Sequence, residues 1–120
     1  MTPTETVENF IAAWNRMDWD AVVGALAEDV VYHNIPMEKI VGRDNAAKFI
    51  TGMQPVGVQW ETLSIAENGN KVLTERLDNF DLPGGKKLSI PVMGTFEVEN
   101  GYITAWRDYF DLATLTSQTA

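Results

Sequence analysis

The second half of the chain consists largely of long segments in which apolar and polar side chains alternate, and this pattern constrains the fold most. A period of two is typical of β-strands with one buried face. Asn68-Gly69 and Asn100-Gly101 are hairpin signals, and Pro83-Gly84-Gly85 is a turn signal. The pattern predicts hairpin-linked strands over 58–67, 71–82, 87–99 and 102–111.

The first half has the periodicity of helices. Thr2-Pro3-Thr4-Glu5 is a capping box with proline at the first helical position. Asp18 is suited to cap a second helix, and Gly42-Arg43-Asp44 opens a third. A short strand is predicted over 30–34, ended by Pro36. The apolar face of the first helix is Val7, Phe10, Ile11 and Trp14, and the predicted buried face of the second is Ala21, Val22, Ala25 and Leu26. The third helix carries Ala46, Ala47, Phe49 and Ile50.

Helices followed by a run of strands favour an α+β fold, with helices packed on one face of an antiparallel sheet. The 120 residues suit one domain, 1–120. Strands of ten or more residues are longer than usual and are expected to curve, with bulges predicted at Pro91 and Gly94. A curved sheet closed by helices forms a cone with an internal pocket.

Composition excludes several classes of function. The chain has no cysteine, which excludes thiol nucleophiles and cysteine-ligated metals, and a single histidine makes a metal site a weak interpretation. No glycine-rich nucleotide loop and no Gly-x-Ser-x-Gly motif occurs, so we expect no cofactor. The net charge of -8 disfavours nucleic acid and anionic membranes as partners. Residues 1–5 have no leader-like pattern, which favours a cytoplasmic protein.

Three ionisable residues share one face of the predicted strands. The even-numbered positions of the segment 87–99 are mostly apolar, which marks the even face as buried, and Arg76, Asp78 and Asp108 have the same parity. Unpaired burial of each charge would be costly, whereas together they can pair. One neutral and one ionised carboxyl group would suit acid–base chemistry. A buried ion-pair network without chemistry is the alternative.

Tyr32 and Asn34 share parity on the short strand of the first half. Facing the carboxylates, the two side chains could hydrogen-bond a water molecule. Each also has an ordinary interpretation, Tyr32 as a core residue and Asn34 as a turn residue before Pro36. His33 lies between them and is predicted to point the other way, as a surface or packing residue.

Five segments spread over most of the chain form a specific combination. They are Tyr32-His33-Asn34-Ile35-Pro36, Gly42-Arg43-Asp44, Thr74-Glu75-Arg76-Leu77-Asp78, Gly94-Thr95-Phe96 and 103–112 (ITAWRDYFDL). This combination resembles the limonene-1,2-epoxide hydrolase family. The resemblance implies a cone-shaped, curved mixed sheet packed with three to four helices, which is the cystatin-like, nuclear transport factor 2-like and SnoaL-like architecture. It also implies a homodimer.

The resemblance further implies a role for each residue. Asp108 would be the general base on water, Asp78 the general acid on the epoxide oxygen, and Arg76 the bridge that orients both. Tyr32 and Asn34 would hold the water together with Asp108. The reaction would be a one-step, cofactor-independent hydrolysis of a small lipophilic epoxide. The residues expected to line the substrate pocket are Met37, Met53, Phe80, Ile90, Val92 and Phe110.

Two other functions remain open at this stage. An isomerase or polyketide cyclase of the same fold would also use a buried carboxylate, by proton abstraction next to a carbonyl group. A non-catalytic binding or dimerisation module would use the three charges only as a structural network. Met93 and Tyr109, on the odd-numbered face, could support an interface or be covered by helices. The fold alone does not separate these functions.

Overall fold

The computed structural model describes residues 1–119 as one curved sheet with helices against it. The elements are α1 (Pro3–Asn15), α2 (Trp19–Gly24), β1 (Leu26–Asn34), β2 (Ile40–Val41), α3 (Arg43–Gly52), β3 (Gly57–Asn68), β4 (Lys71–Asp81), a 3-10 turn (Pro83–Gly85), β5 (Lys87–Glu99), β6 (Tyr102–Tyr109) and α4 (Leu112–Thr119). The α+β class is confirmed. None of the helices among residues 1–119 is long and apolar enough to cross a membrane.

The sheet has six strands in the order β2-β1-β6-β5-β4-β3. All neighbours are antiparallel except β1 and β6, which run parallel. The local sequence pattern, which favoured a purely antiparallel sheet, was therefore wrong at this pair, and the mixed sheet implied by the family resemblance is confirmed. The reason is that β1 joins the sheet from the first half of the chain, beside its last strand, and no hairpin signal marks that pairing.

The predicted start of α1 is confirmed. The Thr2 hydroxyl accepts a hydrogen bond from the Glu5 backbone N–H at 3.1 Å, and the Glu5 carboxylate accepts one from the Thr2 N–H at 2.9 Å. The α2 helix is capped by Asp18 as predicted but ends at Gly24. Leu26, assigned to the buried face of that helix, is instead the first residue of β1 and is fully buried there. The strand predicted over 30–34 is therefore longer at its N-terminal end.

The bulges predicted at Pro91 and Gly94 are wrong, because the pairing of β4 with β5 is continuous through both residues. The irregularities lie elsewhere: Leu63 is the extra residue on β3, Thr104 is the extra residue on β6, and the pairing of β1 with β6 is irregular between Leu26 and Val31. The bulge on β6 reverses the side-chain parity, so Ile103 is buried and Tyr102 is exposed. The inward direction predicted for the even positions of β6 therefore holds only beyond Thr104.

Pro91 is tolerated because it lies where β5 is paired on one side only. The pairing of β5 with β6 begins at Met93, and before it the free edge of β5 faces α4. Ser89 directs its backbone N–H and C=O toward Gln118 of α4, so by alternation the nitrogen of Pro91 faces the same free edge. A residue without an N–H breaks no ladder hydrogen bond there.

Candidate active site

The register of the sheet brings the polar residues together at one level of its inner face. Thr74 on β4 is opposite Gly94 on β5, Gly94 is opposite Asp108 on β6, and Asp108 is opposite Asn34 on β1. Glycine is required in the middle of this row. A Cβ atom on Gly94 would collide with Arg76 Nη1 and Asp108 Oδ1. The missing side chain gives the Arg76 guanidinium room to reach across β5.

Arg76 is the centre of the cluster and is 1% exposed. Its Nε donates to Asp78 Oδ1 at 3.0 Å and its Nη2 donates to Asp78 Oδ2 at 2.9 Å. Nη2 also donates to Asp108 Oδ2 at 3.0 Å, while Nη1 donates to the Thr74 hydroxyl at 3.0 Å. The guanidinium carbon lies 4.9 Å from the centre of the Trp60 ring. A single buried cation is thus shared by two buried carboxylates.

Asp108 accepts a hydrogen bond on each carboxylate oxygen. Besides the bond from Arg76, Trp106 Nε1 donates to Asp108 Oδ1 at 2.9 Å. Trp106 is itself held by parallel stacking on Tyr32, with ring centroids 4.0 Å apart, and on Phe96 at 5.6 Å. The carboxylate is therefore fixed from two sides by groups that have little freedom to move.

Burial and neighbouring charges shift the pKa values of Asp78, Arg76 and Tyr32. Burial raises the pKa of Asp78 to about 6, although the Arg76 guanidinium opposes the rise. Burial would lower the pKa of Arg76, but the two carboxylates raise it above its ordinary value, so the guanidinium stays charged. Burial, together with the charge of Asp108, also raises the pKa of Tyr32, which keeps its phenol protonated. Asp78 can therefore carry a proton near neutral pH, as a general acid requires.

Tyr32 and Asn34 lie beside the carboxylates. The Tyr32 hydroxyl donates to Asn34 Oδ1 at 3.4 Å, and both residues line the same cavity as Asp78 and Asp108. His33 faces away, as its parity predicted, and its Nε2 lies 3.0 Å from the Met37 carbonyl oxygen. Among residues 1–119 no group of three or more His, Asp or Glu side chains is arranged to hold a metal ion.

The cavity above the cluster has a volume of about 100 Å³. Two carboxylates and the Tyr32–Asn34 pair form its polar floor, and its walls are apolar. All six residues named from the sequence as pocket residues lie in these walls: Met37, Met53, Phe80, Ile90, Val92 and Phe110. Such an apolar cup with a few convergent polar groups suits a neutral lipophilic ligand.

Sequence reasoning missed five further residues of the walls and two that hold the cluster. Leu88 and Thr74 carry a signal that was available, since they share parity with Ile90 and Arg76 on the same strands. Trp106 precedes Asp108 by two residues and could have been found in the same way. The remaining wall residues come from other elements and have no local signal: Trp14, Phe49, Trp60 and Leu115.

Comparisons with known proteins identify the family of the chain. A family model described as the limonene-1,2-epoxide hydrolase catalytic domain matches residues 1–120. Epoxide hydrolase EphG of Mycobacterium tuberculosis is 40% identical over 107 residues, which are 88% of this chain and 71% of that protein. The solved structure of an M. tuberculosis LEH-like epoxide hydrolase is 37% identical with a TM-score of 0.86, over 97% of this chain and 87% of that one.

A more distant comparison concerns the fold alone. An NTF2-like protein from Cytophaga hutchinsonii is 24% identical, with a TM-score of 0.81 over 97% of this chain and 96% of that one. The fold is therefore the nuclear transport factor 2-like fold, as the sequence resemblance implied. With the family model matching its whole length, the chain belongs to the limonene-1,2-epoxide hydrolase family.

Proposed function

We propose that the protein is a cofactor-independent hydrolase that adds water to a small lipophilic epoxide and releases a vicinal diol. The observation that carries this proposal is the sharing of one buried arginine by two carboxylates on the floor of an apolar cavity. Membership of the family and the similarity to an epoxide hydrolase of M. tuberculosis support the choice of substrate class.

In the proposed reaction a water molecule is held by Tyr32, Asn34 and Asp108. Asp108 takes one proton from the water while its oxygen forms a bond to an epoxide carbon. The bond from that carbon to the epoxide oxygen breaks, and Asp78 gives its proton to the oxygen. Arg76 keeps both carboxyl groups in place, and its positive charge stays nearby as charge moves from Asp108 to Asp78. Positioning and acid–base catalysis suffice because ring strain assists the opening.

The size of the cavity supports a compact substrate. An apolar cavity of about 150 Å³ is enough to hold benzene, and the cavity here is about 100 Å³. Epoxides with a short aliphatic chain fit this scale. A six-membered ring such as that of cyclohexene oxide requires a small movement of wall residues such as Met37 or Met53, and bulkier epoxides require a larger one. A proton-abstracting isomerase or cyclase would have less use for a second carboxylate and a water site, so epoxide hydrolysis is the better match.

The reaction is tested by turnover of cyclohexene oxide in ¹⁸O-labelled water. We expect one labelled oxygen in the diol, and a single turnover should leave the protein carboxylates unlabelled. Asp108→Asn should reduce diol formation to background, because an amide cannot take a proton from the water. The side chain keeps its size, and its single oxygen can still accept a hydrogen bond from Arg76 or from Trp106, but not from both. Circular dichroism of the variant checks that it folds. Glu97→Gln, at a carboxylate outside the cavity, is the matched control.

Two results would contradict the proposal in different ways. If no epoxide of a small panel is converted, the protein is not an epoxide hydrolase. If label enters a protein carboxylate before it enters the diol, the direct attack of water is wrong and a covalent intermediate forms instead.

We also propose a cytoplasmic homodimer with no nucleic-acid or membrane partner. The dimer is supported by the family resemblance and by apolar side chains on the outer face of the sheet: Leu73, Met93 and Tyr109 are each more than two-fifths exposed. The net charge of -8 supports a freely soluble protein that anionic polymers repel. The mass of the protein in solution by light scattering tests the assembly.

A further inference from the structure

The C-terminal helix α4 lies against β5 and contributes Leu115 to the wall of the cavity. Of its eight residues, Leu112–Thr119, none is fully buried. Leu115 is half-buried against the core and is the residue of this helix that lines the cavity. An isolated helix of this length is not stable in water, so its position depends on the contacts that attach it to the sheet.

The main polar attachment is a two-point contact between Gln118 and the free edge of β5. The Ser89 backbone N–H donates to Gln118 Oε1 at 2.7 Å, and Gln118 Nε2 donates to the Ser89 carbonyl at 2.9 Å. The side-chain amide thus pairs with the strand as a neighbouring strand would. Gln118 Nε2 also donates to the Thr114 carbonyl of its own helix at 3.0 Å. We call this arrangement of Gln118, Ser89 and Thr114 the Gln118 clasp.

The Gln118 clasp lies directly behind the cavity wall. Ser89 stands between Leu88 and Ile90, whose side chains line the cavity. Leu115 precedes Gln118 by three residues, so the two side chains lie on the same face of the helix. Fixing Gln118 to β5 therefore sets how far Leu115 extends over the space beside Leu88 and Ile90.

We infer that Gln118 is a specificity-determining positioning residue, which seats α4 so that Leu115 closes one side of the cavity and restricts it to small epoxides. This inference rests on the proposed function and adds the size class of its substrates to it. Gln118 touches no reacting atom. It acts through Leu115, so releasing the clasp should favour bulky substrates without removing the acid, the base or the water site.

The test compares two epoxides of different size, cyclohexene oxide and limonene oxide, in the wild type and in Gln118→Leu. The variant removes both hydrogen-bonding groups of the clasp and keeps a similar volume. We expect the ratio of kcat/KM for limonene oxide to that for cyclohexene oxide to rise about tenfold, the effect typical of about one methylene in an apolar pocket. Hydrogen exchange at the Ser89 amide should accelerate at least about tenfold, because its acceptor is gone.

Leu115→Ala tests separately whether the Leu115 side chain limits the size of the substrate. It enlarges the cavity directly and leaves the clasp in place, so the ratio should rise while exchange at the Ser89 amide stays slow. Ser117→Ala is the matched control, since its exposed hydroxyl donates only to the Thr114 carbonyl within the helix. It should change neither the ratio nor the exchange.

The outcomes separate this inference from the proposed function. If the wild type makes diol, an unchanged ratio in Gln118→Leu overturns the role of Gln118, whatever Leu115→Ala does, and leaves the hydrolase intact. If the wild type makes no diol, binding of cyclohexane-1,2-diol and limonene-1,2-diol is compared instead. A shift of the affinity ratio toward the larger diol in both variants then upholds the size limit, and an unchanged ratio or no binding overturns it. Should Gln118→Leu not fold, Gln118→Glu takes its place, because it keeps the size of the side chain and removes the Nε2 donor to the Ser89 carbonyl.

Discussion

Gly94 has no side chain, and the positions of Arg76 and Asp108 depend on that absence. Its neighbours across the sheet are Thr74 and Asp108, and the Arg76 guanidinium passes over it. Its conformation does not call for glycine, since its φ lies outside the left-handed region. The reason for glycine is space alone.

Gly94→Ala is therefore expected to break the contact between Arg76 and Asp108. Diol formation should fall at least about a hundredfold, as for other misplacements of about 1 Å in an active site. The midpoint of urea unfolding should drop by the equivalent of about 1–3 kcal/mol through overpacking. Gly24→Ala is the control, because a Cβ there meets no atom within 4 Å. Wild-type activity in Gly94→Ala would show that the shared arginine is not needed.

Asp78 gives a second prediction at this scale, in the pH dependence of the reaction. Since the acid must be protonated and its pKa is raised to about 6, kcat/KM should decline tenfold per pH unit above an apparent pKa near 6. Initial rates between pH 5 and 8.5, with Asp78→Asn as the inactive reference, measure this apparent pKa. A flat profile over this range would exclude Asp78 as the acid.

On both β4 and β6, a residue of the cluster is hydrogen-bonded to the side chain two positions before it. Thr74 accepts from Arg76, and Trp106 donates to Asp108. Residues two apart on a strand share a face and lie close together, so the spacing alone provides the contact. The Thr74 hydroxyl also donates to the Gly94 carbonyl at 2.9 Å, which ties β4 to β5 at the level of the site.

Thr74→Val preserves the shape of this residue and removes both hydrogen bonds. The buried Arg76 Nη1 loses its acceptor, which should cost about 1–3 kcal/mol of folding free energy. A less fixed guanidinium should lower kcat about tenfold and change KM less, because Thr74 does not line the cavity. Thr104→Val is the control: its hydroxyl also donates to a carbonyl of β5, at 3.2 Å, away from the cluster. An equal loss of kcat in both variants would mean that losing any such hydrogen bond to β5 lowers kcat, and that Thr74 has no specific role in fixing Arg76.

The inward face of β4 could be predicted from the sequence, whereas the register of β3 and the partner of β1 could not. Alternation identified the inward face of β4, and with it Arg76 and Asp78, because this strand has no bulge within its pairing to β5. It did not locate Trp60, which lies opposite Asp78 only because Leu63 shifts the register of β3 by one residue. Bulges and the parallel pairing of β1 with β6 depend on contacts distant in sequence, which no local pattern encodes.

At the scale of the whole molecule, the buried cluster of Arg76, Asp78 and Asp108 is expected to affect stability. The Asp78 carboxyl group has a pKa of about 6 in the fold, against an ordinary value of 3.8. Between these values the folded chain holds more protons than the unfolded chain, so the free energy of unfolding decreases as pH rises from about 4 to 6. The shift corresponds to about 3 kcal/mol at most. Lowered pKa values at the exposed Glu5 and Glu67 and at the partly exposed Asp81 act in the opposite direction.

The contribution of Asp78 can be isolated by urea unfolding of the wild type and Asp78→Asn at pH 4, 5, 6 and 7. The exposed carboxylates are common to both proteins, so their effects cancel in the difference. The wild type should lose stability relative to the variant as pH rises through this range, and the difference should level off above about pH 6. The same raised pKa that keeps a proton on Asp78 causes this loss of stability. A difference that is constant, or that changes in favour of the wild type, would show that Asp78 is ionised throughout and that the proton for the epoxide oxygen comes from elsewhere.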